Sequence, residues 1–314
     1  MRQILVTGGA GFIGYHLSLE LAKKNNVVII DNFSRGKFDN ELSELLKNKN
    51  IKIIKKDISK KIVFKKKFDY IFHLAATVGV KNVNKNPSLT IQNNITPAFN
   101  LVNYVKKKNR KCVFVFFSTS EVYSPLINQK KNIFPLKEDY DLLLPSITSN
   151  RDSYFISKIF VEKFLELSNI KYIIYRPHNI YGPRMGMSHV IPELINKIIL
   201  KNKKNVNIYS PNHKRVFCYI DDCINQIIST CFKKQYLQEV LNIGSNQKEI
   251  KIYKLAKLIN ELSSNKKKLI YSTITPGSPR RRVPDVQKIV KNIRNYKETK
   301  LLDGIKNTIR WYIK

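Results

Sequence analysis

The stretch TGGAGFIG, residues 7–14, constrains this chain more than any other, because of what flanks it. A short apolar run, ILVT (4–7), enters it, and FIGYHLSLELAKK (12–24), with a helical pattern, leaves it. Glycines stand at Gly8, Gly11 and Gly14. A backbone that turns from strand to helix in so few residues aims free N–H groups at an anion, and the helix dipole favours negative charge there. Glycine is needed where φ and ψ are unusual, or where a phosphate group or a neighbouring strand comes close. The stretch therefore reads as a phosphate cradle set into a strand–turn–helix unit.

The rest of the chain continues the unit. Ile4–Thr7, Val27–Asp31, Ile51–Ile54, Tyr70–His73, Val113–Phe117 and Tyr172–Tyr175 are short and rich in β-branched or aromatic residues. They lack polar–apolar alternation, as expected of strands covered on both faces. Helical patterns fall between them at 12–24, 41–48, 91–108 and 152–168. Strand–helix repetition predicts an α/β fold with a doubly wound parallel sheet. After residue 177 the pattern loosens into a helix at 190–201, short strands, VLNIG (240–244), the amphipathic YKLAKLINEL (253–262) and a closing helix with Trp311-Tyr312. The stretch TPGSPRRRVPD (275–285), with three prolines and a glycine, reads as a loop. The predicted organisation is a cofactor-binding domain over 1–180 plus about 223–262, and a smaller C-terminal α/β substrate-binding domain from 181–222 and 263–314.

Composition narrows the function classes. At 314 residues with 43% hydrophobic content, the chain is long enough and apolar enough for a large core. The formal charge of +34 raises a nucleic-acid partner. However, the lysines lie in short scattered runs, such as Lys65-Lys66-Lys67, Lys106-Lys107-Lys108 and Lys266-Lys267-Lys268, as on solvated faces. The expectation is no nucleic acid, with a positive field that draws in an anionic small substrate. Cys112, Cys218, Cys223 and Cys231 have no CxxC spacing and the five histidines are scattered, so neither metal nor disulfide is expected. No leader pattern and no membrane-length apolar run are present, which predicts a soluble cytoplasmic protein without a membrane partner.

About twenty residues beyond the glycines, the second strand ends in Asp31, placed to grip the ribose hydroxyls of a dinucleotide. Such a carboxylate repels a 2′-phosphate and so favours NAD over NADP, although Arg35 lies near enough to weaken that preference. Ser118, Thr119, Ser120 and Glu121 come just past the end of a central strand, at the edge where open parallel sheets bind ligands. Tyr154 and Lys158 stand at i and i+4 and share one helix face. A free tyrosine has a pKa near ~10 and is a poor base at neutral pH. A neighbouring lysine cation favours the phenolate, so Tyr154 can take a hydroxyl proton while hydride leaves the same carbon. A Thr119 or Ser120 hydroxyl can bridge to the substrate oxygen.

Together these residues resemble the extended short-chain dehydrogenases/reductases, in particular the NAD-dependent nucleotide-sugar epimerase/dehydratase family. TGGAGFIG, DNFSRG (31–36), KDI (56–58), HLAA (73–76), STSEVY (118–123), YFISK (154–158) and RPHNIYGP (176–183) occur in the family's order, followed by RVFCYIDD (215–222), LNIGS (241–245) and RRRVPD (280–285). The resemblance implies a Rossmann-like fold. It implies that Phe12, Ile13, Asn32 and Ser118 join the glycines at the cofactor, that Asp57 and Ile58 flank the adenine, that Ala75 and Ala76 line the cofactor channel, and that Asn94 lies beside it. It further implies that Asn179, Arg215, Arg281 and Arg282 meet the diphosphate of a nucleotide sugar, with Val190 and Ile191 along the base. Pro97 and Ser124 depart from the family's usual glycines at those positions.

Members of this family begin by oxidising a sugar hydroxyl, usually at C4, and then diverge. Dehydratases commonly carry Asp-Glu where this chain has Ser120-Glu121, so dehydration is disfavoured. The resemblance divides between nucleotide-sugar epimerases of surface-polysaccharide synthesis and UDP-glucuronate decarboxylases. Helix 152–168 is apolar over more than the face bearing Tyr154, and is expected to meet a symmetry mate, with helix 91–108, in a homodimer.

Overall fold

The computed structural model describes residues 1–60, 63–64, 66–130, 132–144, 149–201, 203–275 and 278–314. Lys65 of the first lysine run and Pro276-Gly277 of the proline-rich loop lie outside them. The strands are β1 (Gln3–Thr7), β2 (Asn26–Asp31), β3 (Ile51–Lys55), β4 (Tyr70–His73), β5 (Val113–Phe117), β6 (Lys171–Pro177), β7 (Ile180–Tyr181), β8 (Asn205–Ile208), β9 (Lys214–Arg215), β10 (Cys218–Tyr219), β11 (Glu239–Ile243), β12 (Ile250–Lys251), β13 (Lys268–Tyr271) and β14 (Arg281–Arg282). The helices are α1 (Phe12–Leu21), α2 (Asn40–Leu46), α3 (Val80–Lys85), α4 (Pro87–Lys108), α5 (Ser124–Gln129), α6 (Asp152–Glu166), α7 (Val190–Ile195), α8 (Ile220–Cys231), α9 (Ile252–Glu261), α10 (Gln287–Val290) and α11 (Leu301–Ile313).

The chain divides into two compact units. The first comprises Met1–Val122, Leu142–Arg176 and Ile224–Leu241; the second comprises Tyr123–Asp141, Pro177–Cys223 and Asn242–Lys314. The main sheet has the order β3-β2-β1-β4-β5-β6-β11. Pairing is parallel from β3 through to β6. This is the doubly wound order with its switch point between β1 and β4, where the chain leaves the two neighbouring strands in opposite directions. All five residues of β5 are buried. Phe114 and Phe116 project into a core with Leu5, Ile71, Leu101 and Val105, and Val161 and Leu165 enter it from α6.

All six short apolar runs are strands. α4 begins at Pro87, four residues before the periodic pattern: a proline is tolerated in the first turn, where its missing N–H costs no bond. It runs on through the buried Pro97. The helix at 190–201 is α7 for six residues and then a wider π-helical stretch, Asn196–Leu200. In the second unit β10 pairs with β7, β13 with β8, and β12-β9-β14 form a small mixed sheet. Among the described residues no helix is long and apolar enough to cross a membrane, and the four cysteines are buried and unbridged.

Candidate active site

The loop after β1 is built at the switch point. Gly8 has φ +72°, a conformation that side chains rarely adopt, and a Cβ there would sit 2.8 Å from Ala75 N in the loop after β4. A Cβ on Gly14 would strike Gly8 O and lie 2.8 Å from Gly9 Cα, so α1 can start against the loop only with glycine there. Gly11 differs, since an added Cβ would approach nothing nearer than Gly8 O at 3.2 Å. It is the N-cap of α1, offers no side chain to the first-turn N–H groups, and is followed by no acid in that turn. The helix start that includes Phe12 and Ile13 therefore presents donors and a positive dipole end to an external anion.

Asp31 ends β2 beside this loop and is buried. Its Oδ2 accepts from Ala10 N (3.0 Å) and its Oδ1 from Phe33 N (2.8 Å), so one carboxylate ties the glycine loop to the 32–36 turn. Asn32 spends its Oδ1 on Ser34 N (3.0 Å). Arg35 donates to Val78 O (3.1 Å); burial lowers the pKa of its guanidinium and the charge of Tyr154 raises it, which places Arg35 within electrostatic reach of the phenol.

At the end of β5, Ser118 N donates to Tyr175 O (2.8 Å), keeping the strand paired to β6, while Ser118 Oγ is buried without a hydrogen-bond partner. Thr119 Oγ1 accepts from Glu121 N (3.2 Å) and Ser120 opens a 3₁₀ turn. Tyr154, in the first turn of α6, is half-buried. One turn on, the buried Lys158 donates from Nζ to Phe117 O (2.8 Å) and lies 4.8 Å from the centre of the Phe116 ring. Burial brings its pKa down to about 7, against the opposing pull of Glu162. Glu162, four residues further along α6, accepts a bidentate pair from Arg176, with Nε to Oε1 at 3.1 Å and Nη2 to Oε2 at 2.6 Å.

Some of the expected residues have tasks within the chain. Asn94 accepts from Thr77 N (2.7 Å) and donates to Ser157 Oγ (3.0 Å), bracing the loop after β4 against α6. Asp57 Oδ1 takes the N–H and hydroxyl of Ser59, while Ile58 is core. Ala75 and Ala76 are half-buried in the loop that meets Gly8. In the second unit, Arg215 and Arg282 are both buried and pair in register across β9 and β14. Arg215 donates to Lys214 O (2.8 Å), Ser278 Oγ (3.1 Å) and Pro279 O (2.7 Å). Arg281 is exposed and donates to Glu249 (2.7 Å). Asn179 donates to Val216 O (2.9 Å); Val190 is exposed and Ile191 buried.

Three residues of the first unit join the site that sequence reasoning did not single out. Arg151, just before α6, pairs with Glu121 at 3.0 Å, both side chains being about four-fifths buried. Glu162 was legible as the i+4 partner of Lys158. His73 Nδ1 lies 2.7 Å from Thr7 Oγ1, and burial, reinforced by the Lys158 charge, lowers its pKa to about 3, so the ring is neutral. The donor-rich helix start, the anchored Asp31 carboxylate and the Tyr154–Lys158 pair form a donor set that fits a dinucleotide.

Comparison with known proteins gives the family. Residues 4–244, from β1 to the residue after β11, match the NAD dependent epimerase/dehydratase family. The chain is 31% identical to the UDP-N-acetyl-alpha-D-glucosaminuronate decarboxylase of Bacillus cytotoxicus, over 99% of this chain and 98% of that one. Its fold superposes on the UDP-glucose 4-epimerase of Thermotoga maritima, crystallised with UDP-glucose, with a TM-score of 0.82 at 26% identity, covering 99% of this chain and 98% of that one. The UDP-glucuronic acid 4-epimerase of Bacillus cereus, in complex with UDP-glucuronic acid and NAD, gives a TM-score of 0.83 at 27% identity, over 98% of both chains. The match spans the glycine loop, Asp31, the end of β5 and the Tyr154–Lys158 helix in one continuous stretch, and the chain belongs to the NAD dependent epimerase/dehydratase family.

Proposed function

We propose that this chain oxidises the C4 hydroxyl of a nucleotide sugar and completes an epimerisation at that carbon. The observation that carries the reading is the fixing of Lys158 to Phe117 O, one turn along α6 from Tyr154, at the end of β5. NAD, when bound, supplies a two-electron acceptor for the hydride on the sugar carbon. Tyr154 takes the hydroxyl proton, and the Lys158 ammonium, held in place by a backbone carbonyl, stabilises the phenolate. A hydroxyl of Thr119 or Ser120 holds the sugar oxygen. Once the keto sugar presents its other face, return of the hydride to C4 and of the proton from Tyr154 to the oxygen restores the alcohol with inverted configuration. Asn179, Arg215, Arg281 and Arg282 are assigned to the diphosphate, with Val190 and Ile191 along the base; arginine recognises phosphate through fixed bidentate geometry.

A second reading has its own support in the Glu121–Arg151 pair and in the resemblance to the Bacillus cytotoxicus decarboxylase. If the sugar is a uronic acid, oxidation at C4 leaves its carboxylate β to the new carbonyl. The C5–C6 bond can then break, releasing carbon dioxide and leaving the electron pair on an enolate that is reprotonated at C5, after which hydride return to C4 restores the alcohol. The product masses from a panel of UDP-, dTDP- and GDP-sugars separate the two. Unchanged mass with altered configuration supports epimerisation, loss of carbon dioxide supports decarboxylation, and loss of water overturns both. Tyr154→Phe is expected to lower turnover by roughly 10²–10⁴-fold, the range for a lost acid–base group, while NAD binding persists; full activity in that variant would refute the assignment.

We also assign this enzyme to the cytoplasm and to a homodimer. Phe99 of α4 stacks on Phe164 of α6 at 3.9 Å, while Phe160 of α6 and Leu167, the residue that caps it, are exposed, at 48% and 86%. A monomeric mass in sedimentation at micromolar concentration would refute the dimer.

A further inference from the structure

The parallel sheet has a second edge, where the strands begin, and it carries its own concavity. A groove of about 820 Å³ is lined there by residues that precede or open strands of the main sheet. Arg2 precedes β1, Lys111 lies just before β5, Lys171 opens β6, and Lys233 and Lys234 lie ahead of β11; Lys24 comes from the turn before β2. The glycine loop, Asp31 and Ser118 all lie past the opposite ends of these strands, so the groove is separate from the candidate active site.

The charge of this groove exceeds what the composition supplies. Six of its thirteen lining residues are cations, whereas 57 of 314 residues in the chain are. Only one lining residue, Asp69, is acidic, and its Oδ2 already accepts from Gln3 N at 2.7 Å. The cations converge from five separate chain segments, so no local lysine run produces the cluster. Like charges gathered in a concavity with a low-dielectric wall focus the field toward an anion more strongly than the same charges on a convex helix face.

The chemistry of the lining selects the kind of anion. Five of the six cations are lysines, compact point charges that neutralise phosphate without the fork geometry that reads planar groups. The aromatic surface is already engaged: the Arg2 guanidinium lies 4.4 Å from the centre of the Phe232 ring, and Tyr70 meets that ring edge-on at 4.9 Å. A base stacking on the Phe232 face that Arg2 covers would have to displace the guanidinium. The volume falls in the range of small-ligand sites, roughly 300–1,000 Å³. We propose that this groove binds a compact anion carrying several linked phosphates, recognised by its phosphate chain.

The test titrates the NAD-loaded enzyme calorimetrically with inorganic tripolyphosphate, ATP and orthophosphate. Tripolyphosphate and ATP are expected to bind equally within a few-fold, and orthophosphate at least about tenfold more weakly, because the summed Coulomb attraction grows with the charges on the ligand. Lys111→Glu/Lys171→Glu is expected to weaken tripolyphosphate binding at least about tenfold, while enzyme activity at saturating sugar shows that the variant is folded. Lys254→Glu/Lys266→Glu, an equal charge change at exposed positions that do not line the groove, is expected to shift binding less than about twofold in the presence of screening salt. The proposal fails if the two double variants weaken binding equally, since that would be the general field of the chain. It also fails if the first variant leaves binding unchanged, which would put the anion on the arginines of the second unit. Affinity for single-stranded oligonucleotides that keeps rising with length and exceeds that for tripolyphosphate would overturn it in favour of a nucleic-acid surface.

Discussion

Glu162→Gln should damage this protein in two measurable ways, because one carboxylate serves two cations. The Arg176–Glu162 pair is held by two hydrogen bonds of 3.1 and 2.6 Å, with side-chain exposures of 4% and 0%. At an effective dielectric of 20, two charges about 3 Å apart attract by roughly 5–6 kcal/mol, and desolvating them costs several kcal/mol per ion. The intact pair is thus close to neutral for stability. Removing one charge is not, because the buried guanidinium keeps its desolvation cost and loses the compensation; the expected loss is about 3–5 kcal/mol. Hydrogen exchange of the β5 and β6 amides, which open with the sheet, reads this loss directly. The double variant Glu162→Leu/Arg176→Met should recover most of it, since two apolar groups replace two charges. Glu162 is also the charge that raises the pKa of Lys158, so the single variant should move that pKa below about 7. A cost under about 1 kcal/mol for the single variant, or a double variant as unstable as the single, would refute the balance argued here.

Two further variants probe the same helix. Lys158 has a folded pKa of about 7 against an ordinary value of 10.5, so between those pH values the unfolded chain binds the extra proton and stability rises with pH. Lys158→Met should therefore stabilise most below pH 7, with the advantage shrinking as pH rises toward 10; a gain that is flat across this range in the cofactor-free protein would contradict it. Arg151→Ala leaves Glu121 without its 3.0 Å partner and should lower kcat by about tenfold or more with NAD affinity unchanged. Arg151→Lys should restore part of the rate, and a loss confined to KM would show that Arg151 only binds substrate.

The pattern of legibility follows the range of each interaction. β1 to β6 could be read because strands buried on both faces have no polar alternation, and Tyr154–Lys158 because i, i+4 is a local rule. The start of α4 was misplaced because Pro87 lies outside the apolar period while being well suited to a first turn. The Glu121–Arg151 pair joins residues thirty positions apart, and nothing in the sequence around either announces the other. Asn94 illustrates a subtler limit: the family resemblance picks it out, but its hydrogen bonds to Thr77 and Ser157 depend on where α6 comes to rest. Arg215 likewise directs its donors to the 278–279 backbone and Lys214 O, a use that motif matching does not reveal.

Asp31 carries a consequence for how such an enzyme can change in evolution. A chain drifting toward NADP must lose the negative charge that repels a 2′-phosphate, and substitution at Asp31 is the direct route. Here the same carboxylate fastens Ala10 N and Phe33 N, so its loss releases two loops at once. With Asp31 assigned to the ribose, Asp31→Ser is expected to weaken binding of both NAD and NADP, because Ala10 N and Phe33 N lose their acceptor; a variant that gains NADP affinity in calorimetry while keeping its NAD affinity would refute this. Cofactor preference is therefore protected by an architectural toll: a lineage must first acquire another latch for the 8–14 and 32–36 segments before its choice of dinucleotide is free to change.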